Sequence, residues 1–419
     1  MEQAAADVVV VGEGDLACAE VCAKLLAGQM VDHVIRPELP LLSTLKLPYE
    51  YYTDTDVAQR MVYVEASRGC PFLCSFCLPS LDKGVRRFDE DAFILALGRL
   101  HDRGLRNFKF VDRTFNLSLS SCRRILNFFL SRLDPSLFVH FELIPDRLPA
   151  ELKSLIAAFP PGTLQFEIGI QTFDLEVATR INRRHDEAAI NANVQWLRTQ
   201  TGVHLHTDLI VGLPGETTAQ FGAGFDHLYG LGPQEIQVGI LKRLRGTPII
   251  ALTEAYGMLY SPRPPYEVLQ TGAIPFAEMQ EMKHFARFWG LIANSGHYQN
   301  TLAVLLEDGS PFGKFMALSM RLSAKFGRSH SIASGRLVEG VFAHGVAVGI
   351  PAERLGRSLI DDLVQTRRLP IPDFLRVYAT DDERKLRKAL PRVHDLHGRQ
   401  QAHVAGRGES AGNGTMTGI

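Results

Sequence analysis

Residues 68–77 read Arg68-Gly69-Cys70-Pro71-Phe72-Leu73-Cys74-Ser75-Phe76-Cys77, and their three cysteines have the spacing C-x3-C-x2-C. Thiolates are soft ligands that suit iron–sulfur clusters or zinc. A structural zinc ion is closed by four ligands, whereas the next histidine, His101, follows a helix-like segment. Three thiolates on a cubane cluster would leave one iron without a protein ligand, and such an iron can take part in a reaction. The alternative is three cysteines that pack in a core or bind zinc.

Around this loop, short apolar segments alternate with longer amphipathic ones. The segments short enough for strands are Met61–Ala66, Asn107–Asp112, Leu137–Leu143, Leu164–Ile170, His204–Val211 and Glu235–Leu241. The segments with helical spacing between them are Asp89–Arg103, Ser120–Leu133, Pro149–Ala158, Glu187–Gln200 and Thr217–Gly230. Strands that alternate with helices predict βαβ units, an α/β fold and a parallel sheet.

The later part of the chain has helical periodicity only. Apolar residues recur at helical spacing in Phe276–Ala293, Pro311–Phe326, Gly335–Gly345 and Pro351–Arg367. From Leu396 onward the composition turns to Gly, Arg, Gln and Ser, which is typical of disorder. We therefore expect four parts: residues 1–55, a barrel domain over 56–275, an all-helical C-terminal domain over 276–395, and a disordered tail over 396–419.

Composition restricts the possible partners and compartments. The 419 residues include 45 basic and 46 acidic ones, and the net charge of −1 predicts neither nucleic-acid nor membrane-surface binding. No apolar run approaches the roughly 20 residues of a membrane span. The six cysteines are not spaced as a disulfide framework and fit a reducing, cytoplasmic environment.

The cysteine loop resembles that of the radical S-adenosylmethionine (SAM) enzymes. The resemblance implies that Cys70, Cys74 and Cys77 hold a [4Fe–4S] cluster, whose open iron chelates the amino and carboxylate groups of SAM. Phe76 takes the place of the aromatic residue that lies beside the adenine in that family. The six predicted strands match the family's partial (βα)6 TIM-like barrel, in which chemistry takes place at the C-terminal ends of the strands.

The second and third strands each end with a carboxylate. Asp112 occupies the slot of the family's G-G-E motif, which contacts the amino group of SAM; the alternative is that it caps the following loop or pairs with Arg113. Glu142 lies among apolar residues, where a carboxylate needs a partner or a ligand. We expect Glu142 to be catalytic, with an ion pair to Arg147 as the structural alternative.

The fourth strand places Glu167, Gly169 and Gln171 on one face. In the enzymes that the chain resembles, a polar residue here binds the ribose hydroxyls. The resemblance therefore predicts that Glu167 and Gln171 bind the cofactor.

The fifth strand and the turn after it resemble the family's G-x-I-x-G-x-x-E region. Ile210 belongs to an apolar wall for adenine, and Gly212 with Gly215 would allow a flat ring to approach the backbone. Asp208 replaces the first glycine and is expected to face the substrate as a catalytic residue, while Glu216 falls one position late. We still expect Ile210, Gly212 and Glu216 to bind the cofactor.

The sixth strand is followed by Lys242 and Arg245. Both would stand at the mouth of the barrel, where they either hold a substrate carboxylate or phosphate or form a solvated rim.

The N-terminal segment resembles one strand and one helix of a cobalamin domain. Asp7–Gly14 predicts the strand and its turn, Leu16–Leu26 the helix, and Pro37–Tyr52 a linker. Val8–Val11 should pack against the barrel as an apolar appendage.

The remainder of a cobalamin domain is missing from the sequence. Its histidine loop, D-x-H-x-x-G, is absent, and the similar segment Asp395-Leu396-His397 has Gln400 in the glycine position. We expect that the chain does not bind cobalamin by itself, and that this domain is lost, supplied elsewhere, or hidden by a misassigned start.

The function implied by the resemblance is reductive cleavage of SAM at the [4Fe–4S] cluster, which gives a 5′-deoxyadenosyl radical that abstracts hydrogen from an unidentified small molecule or peptide. An electron donor such as flavodoxin or ferredoxin would be the partner. The alternatives are a non-catalytic relative that binds a cluster, haem or cobalamin, and a methyltransferase that uses cobalamin supplied in trans.

Overall fold

Strands and helices alternate through the first two thirds of the protein, and helices dominate the last third. The computed structural model describes residues 6–78, 84–184, 186–366 and 370–385. Its strands are β1 Val9–Val10, β2 Val34–Ile35, β3 Val62–Val64, β4 Ser67–Arg68, β5 Arg86–Arg87, β6 Asn107–Phe110, β7 Phe138–Leu143, β8 Leu164–Gln171, β9 His204–Val211, β10 Glu235–Ile240, β11 Leu259–Tyr260 and β12 Val268–Gln270.

The α-helices lie near the N-terminus, between the strands, and in the last third of the chain. They are α1 Ala17–Leu26, α2 Asp54–Gln59, α3 Glu90–Asp102, α4 Leu119–Leu130, α5 Ala150–Ala157, α6 Leu175–Arg180, α7 Glu187–Gln200, α8 Thr218–Gly230, α9 Phe276–Ile292, α10 Gln299–Leu305, α11 Pro311–Phe326, α12 Ser334–Ala347, α13 Ala352–Thr366 and α14 Asp381–Lys385. Short 3-10 helices span Leu42–Thr44, Pro48–Tyr51, Phe115–Leu117, Pro248–Leu252 and Asp373–Tyr378. Within the described residues, no helix is long and apolar enough to cross a membrane.

A parallel sheet with the strand order β10-β9-β8-β7-β6-β3 forms the centre of the protein. Each strand pairs with its successor in this sheet, and the intervening helix makes the crossover. The two edge strands, β3 and β10, are not paired with each other in the described part of the chain, so the sheet is an open, partial barrel. The predicted α/β class and six-stranded partial barrel are confirmed.

The two faces of the sheet differ in polarity. The outward faces bury phenylalanines against the helices, including Phe108, Phe110, Phe141 and Phe166, each at most 1% exposed. Burial of such a side chain contributes roughly 1.5–3 kcal/mol. The inward face of β8 carries Gln165, Glu167, Gly169 and Gln171, so the interior of the barrel is polar and suited to a ligand.

Side-chain caps start the helices between the strands. Asp89, Ser118 and Asp186 accept hydrogen bonds from backbone N–H groups in the first turns of α3, α4 and α7, and Thr217 forms a capping box with Gln220 at α8. Each cap satisfies an otherwise unpaired donor and typically contributes about 1 kcal/mol. These caps account for the close agreement between the predicted and observed helix starts.

The C-terminal helices attach to the barrel through α9. The Asn294 side chain accepts a hydrogen bond from Ile236 N at 3.1 Å and donates one to Ile236 O at 2.9 Å, which occupies the free edge of β10. Trp289 of α9 packs on Phe225 of α8 and on Phe315 of α11, with centroid distances of 4.7 and 4.8 Å. The predicted helical region is confirmed, whereas the expected tail over 396–419 lies outside the described residues.

The N-terminal unit departs from the sequence prediction. It contains a second short strand, β2, parallel to β1, and a two-residue strand is too short to give a periodic signal. Val9 and Val10 are only half-buried and Val11 is 44% exposed, so the expected apolar appendage is wrong.

Ion pairs hold the N-terminal unit to the barrel instead. Arg68 pairs with Glu13 and Asp15 at 2.9 and 2.8 Å, and Arg86 pairs with Glu13. The expected linker is also part of the core, since Tyr49 is 5% exposed and its hydroxyl accepts a hydrogen bond from Glu65 N at 2.8 Å.

Candidate functional site

The cysteine loop is fixed to the C-terminal ends of the strands. It leaves the short antiparallel pair β4–β5, and its backbone is held from two sides: Ser75 N donates to Ile181 O at 2.9 Å, and Ile249 N donates to Ser75 O at 2.8 Å. Asn182 Nδ2 also donates to Leu73 O at 2.9 Å. The segment after β8 therefore sets the position of the loop.

All three cysteines line one cavity with the polar ends of the strands. Cys70 and Cys74 are buried and Cys77 is half-buried. Besides these cysteines, the cavity, of about 230 Å³, is lined by groups that include Phe76, Glu142, Glu167, Gln171, Arg183 and Asp208. The structure thus brings together residues from the loop and from β7, β8 and β9 that the sequence analysis had singled out separately.

A second cavity, of about 690 Å³, adjoins the cysteine cavity. The two share Phe76, Gln171 and Asp208. Ile210 lines the second cavity, together with other apolar groups from β9 and β10. Cavities of this combined size are typical of sites for small organic ligands.

Arg183 is a site residue that the sequence analysis missed. Its Nη1 lies 3.6 Å from Cys74 Sγ, and its Nη2 donates to the carbonyl oxygen of Gly169. A guanidinium in this position can bind a carboxylate with two parallel hydrogen bonds. The only signal in the sequence was the adjacent pair Arg183-Arg184 after the fourth strand.

Glu167 is held by two cationic or polar neighbours from other strands. His140 Nε2 lies 3.2 Å and Lys109 Nζ 3.8 Å from Glu167 Oε2. The adjacent imidazole of His140 lowers the pKa of Glu167 to about 2, so this carboxylate is charged at neutral pH. Burial lowers the pKa of His140, and its neutral ring can still act as a donor. Neither partner had been predicted.

Gln171 has an unusual backbone conformation at the end of β8. Its φ of 74° is in the left-handed region, which is uncommon for a residue other than glycine. The pairing with β9 shifts register between Gly169 and Gln171, and Gln171 Oε1 is buried without a hydrogen-bond partner among the described residues. Strain of this kind is often concentrated at ligand sites.

Asp208 and Glu142 are acidic groups in the same cavity. Burial and the nearby carboxylates of Glu167 and Glu142 raise the pKa of Asp208 well above its ordinary value. Asp208 Oδ1 has no hydrogen-bond partner among the described residues, and His206 Nε2 is 3.6 Å away. Burial also raises the pKa of Glu142. The expected ion pair between Glu142 and Arg147 is wrong. Glu142 Oε1 lies 3.4 Å from Arg113 Nη1 at the end of the neighbouring strand, while Arg147 lies over the Phe72 ring.

Asp112 does not line the cysteine cavity. Its two carboxylate oxygens accept hydrogen bonds from Ala66 N at 3.0 Å and Ser67 Oγ at 2.5 Å. Burial raises the pKa of Asp112 to about 6. Asp112 therefore binds the segment after β3, whereas the alternative interpretation expected it to cap the following loop or to pair with Arg113.

Gly212 and Glu216 are also outside both cavities. A side chain added at Gly212 would meet Val268 Cγ1 at 2.6 Å, so the close approach that this glycine permits is to the β12 strand and not to a flat ring. Glu216 is 1% exposed and accepts a hydrogen bond from Thr172 Oγ1 at 2.5 Å. The expected cofactor contacts of Gly212 and Glu216 lack support in this geometry.

The donor set fits an iron–sulfur cluster and a polar nucleoside ligand. Three thiols face a cavity that also contains the unpartnered oxygens of Gln171 and Asp208. Within the described ranges, no three His, Cys, Asp or Glu residues are arranged to hold a single metal ion. The sulfurs around a cubane lie further apart than the ligands of one ion, because each binds a different iron.

Comparisons with known families match two consecutive parts of the chain. Residues 64–227 match the family model described as the radical SAM superfamily. Residues 254–396 match a family model described as a protein of unknown function, DUF4080.

Curated relatives are similar to part of the chain. A ribosomal protein uS12 methylthiotransferase, RimO, of Trichlorobacter lovleyi is 28% identical over 167 residues, which are 38% of this chain and 37% of that protein. RimO of Heliobacterium modesticaldum is 24% identical over 250 residues, 57% of this chain and 52% of that protein. The chain thus spans only about two fifths to one half of these relatives.

Two solved structures are similar at low identity. One is the radical SAM methyltransferase TsrM of Kitasatospora setae with cobalamin and a [4Fe–4S] cluster bound (16% identity, TM-score 0.47, 64% of this chain and 61% of that chain). The other is the cobalamin-dependent SAM radical enzyme OxsB (12% identity, TM-score 0.49, 94% and 67%). Residues 64–227, about two fifths of the chain, thus match the radical SAM superfamily.

Proposed function

We propose that Cys70, Cys74 and Cys77 hold a [4Fe–4S] cluster in the cysteine cavity and that the protein cleaves SAM there. The observation that supports this most directly is that the three cysteines and the polar ends of β7, β8 and β9 line one cavity. A cluster held by the three cysteines would supply the electron for reductive cleavage of SAM, and the cleaved cofactor would take a hydrogen atom from the substrate.

The residues around the cavity have distinct roles in this proposal. Phe76 and Ile210 bound the space for the adenine, since both line the adjoining cavity. The charged carboxylate of Glu167 and the amide of Gln171 bind the ribose hydroxyls. Arg183, beside Cys74, binds the methionine carboxylate.

Asp208 and Glu142 are assigned to the substrate side. Burial and the neighbouring carboxylates raise the pKa of Asp208 well above its ordinary value, which favours a carboxyl that can donate a hydrogen bond into the cavity. Glu142, beside Arg113, lines the cysteine cavity with Asp208 and can accept a hydrogen bond. Two acidic groups with raised pKa values can hold and move a proton at a bound substrate.

The domain division stays part of the proposal: an N-terminal unit over 1–55, the barrel over 56–275 and a helical domain over 276–395.

A one-electron donor such as flavodoxin or ferredoxin would reduce the cluster, and the substrate would be a small molecule or peptide. The absence of cobalamin binding stays a prediction, as does the methyltransferase alternative with cobalamin supplied in trans.

Formation of 5′-deoxyadenosine tests the function. Anaerobically reconstituted protein, given SAM and a strong reductant, should produce 5′-deoxyadenosine and methionine in equal amounts, measured by liquid chromatography with mass detection. A protein that holds a full cluster and never yields 5′-deoxyadenosine would support the non-catalytic alternative.

Glu167→Ala should weaken SAM binding about tenfold or more, because a buried hydrogen bond to a charged group contributes about 1.5–3 kcal/mol. Calorimetry on the cluster-loaded protein measures the affinity. Gln165→Ala is the matched control, since Gln165 is on the same face of β8 and lines neither cavity. Equal affinities of the two variants would assign Glu167 to the structural network with Lys109 and His140.

A further inference from the structure

The 690 Å³ cavity is built by both parts of the molecule. The barrel contributes Asp208, Gln237 and Lys242 from the ends of β9 and β10 and the turn that follows. Helix α9 of the DUF4080 region contributes Lys283 and Arg287. No function is attached to that region by its family description, yet its first helix forms one wall of the cavity beside the proposed SAM site.

This wall is firmly attached to the barrel. Asn294, just after α9, forms two hydrogen bonds with Ile236 on the free edge of β10. Strand β12 continues the contact, with Val268 N donating to Leu241 O at 2.8 Å. The α9 side chains therefore have a fixed position relative to the ends of the strands.

The cavity has an excess of positive charge. Lys283 pairs with Glu267 at 2.9 Å, which neutralises both. Among the described residues, no carboxylate lies within ion-pair distance of Lys242 or Arg287; Arg287 Nε donates to the carbonyl oxygen of Ser329 at 3.1 Å. Two cations from different elements thus face one cavity without a charged protein partner.

The part of the cavity at Asp208 does not repel an anion. Burial and two neighbouring carboxylates raise the pKa of Asp208 well above its ordinary value, which disfavours a negative charge there. Phe76 and Ile210 add apolar surface on that side. A ligand with an anionic end at α9 and a less polar end toward Asp208 matches this distribution.

We propose that this cavity is the substrate site and that the substrate carries a carboxylate or phosphate group held by Lys242 and Arg287. The inference rests on the proposed radical SAM function and specifies its substrate class. Lys242 acts as a point charge, while the planar guanidinium of Arg287 can bind two oxygens of the same group. The bound anion anchors the substrate at α9, and the rest of the molecule extends toward Asp208, beside the space for the adenine that Phe76 and Ile210 bound.

Anion binding to purified protein tests the proposal. Pyrophosphate and citrate are titrated separately in low salt, with calorimetric detection, into the wild type and Lys242→Gln/Arg287→Gln. We expect at least one probe to bind the wild type about tenfold or more tightly than the double variant, since two charge-assisted contacts are lost. Stronger binding of pyrophosphate would indicate a phosphate, and of citrate a carboxylate.

Two further variants serve as controls. Lys24→Gln/Arg36→Gln removes the same charge from exposed positions of the N-terminal unit and should bind like the wild type. Lys242→Arg/Arg287→Lys keeps both charges and should retain most of the affinity. The proposal is overturned if neither probe binds the wild type, or if Lys242→Gln/Arg287→Gln binds as well as the Lys24/Arg36 control. Failure of the wild type to form 5′-deoxyadenosine would overturn the proposed function without changing this binding result.

Discussion

Replacing Cys70, Cys74 and Cys77 together by alanine should remove the iron–sulfur cluster and abolish formation of 5′-deoxyadenosine. The wild type should hold about four irons and four sulfides per chain after anaerobic reconstitution. The triple variant should hold essentially none, because no thiolate would be left in the cavity. Iron and sulfide analysis and the brown absorption of the cluster are the measurements.

The other cysteines provide the control. Cys18 and Cys22 are exposed on the N-terminal unit, and Cys18→Ala/Cys22→Ala should keep the full iron content. A triple variant that still contains about four irons would show that the cluster is elsewhere or that the proposed ligands are wrong. Zinc in place of iron and sulfide in the wild type would favour the zinc-site interpretation of the loop.

The backbone of the barrel could be predicted closely from the sequence, because one face of each strand packs on helices and the other lines a polar interior. The range His204–Val211 was predicted to the residue. The short helix α6 and the hairpin β11–β12 were missed, since elements of two to six residues give too few repeats for a periodic signal.

Partners across strands were harder to predict, because they depend on register. Glu142 pairs with Arg113 and not with Arg147, since Arg113 follows the adjacent strand β6. Lys109 and His140 reach Glu167 from two strands that are separated from β8 by tens of residues in the chain. A sequence shows that such residues are polar and in strands, and only the folded sheet shows which of them meet.

Glycine-rich motifs were misleading for a related reason. Gly212 does permit a close approach, but the approaching group is Val268, from a hairpin that the sequence analysis did not predict. Similarly, Arg245 was expected at the mouth with Lys242, whereas its guanidinium lies over the Tyr266 ring and only Lys242 lines the cavity. The second cation of the cavity, Arg287, comes from a helix that was assigned to a separate domain.

Glu216→Gln should stabilise the protein at alkaline pH and should leave SAM binding unchanged. Glu216 is 1% exposed, and its Oε2 has no hydrogen-bond partner within the described residues. Burial raises its pKa from an ordinary 4.5 to about 8. The folded state therefore binds the proton more tightly than the unfolded state, so stability is highest below pH 4.5 and is lost as the pH rises through about 8.

The difference between these two pKa values corresponds to a free energy on the order of 5 kcal/mol. Glutamine keeps the acceptor for Thr172 Oγ1 and cannot ionise, so the free energy of unfolding of Glu216→Gln should match that of the wild type near pH 5 and exceed it by several kcal/mol near pH 9. Denaturant unfolding between these pH values measures the difference, with the exposed Glu254→Gln as the matched control.

Parallel curves of unfolding free energy against pH for wild type and Glu216→Gln would mean that Glu216 is ionised in the folded protein and has a charged partner. A weaker affinity of Glu216→Gln for SAM would return Glu216 to the cofactor site that the sequence motif suggested.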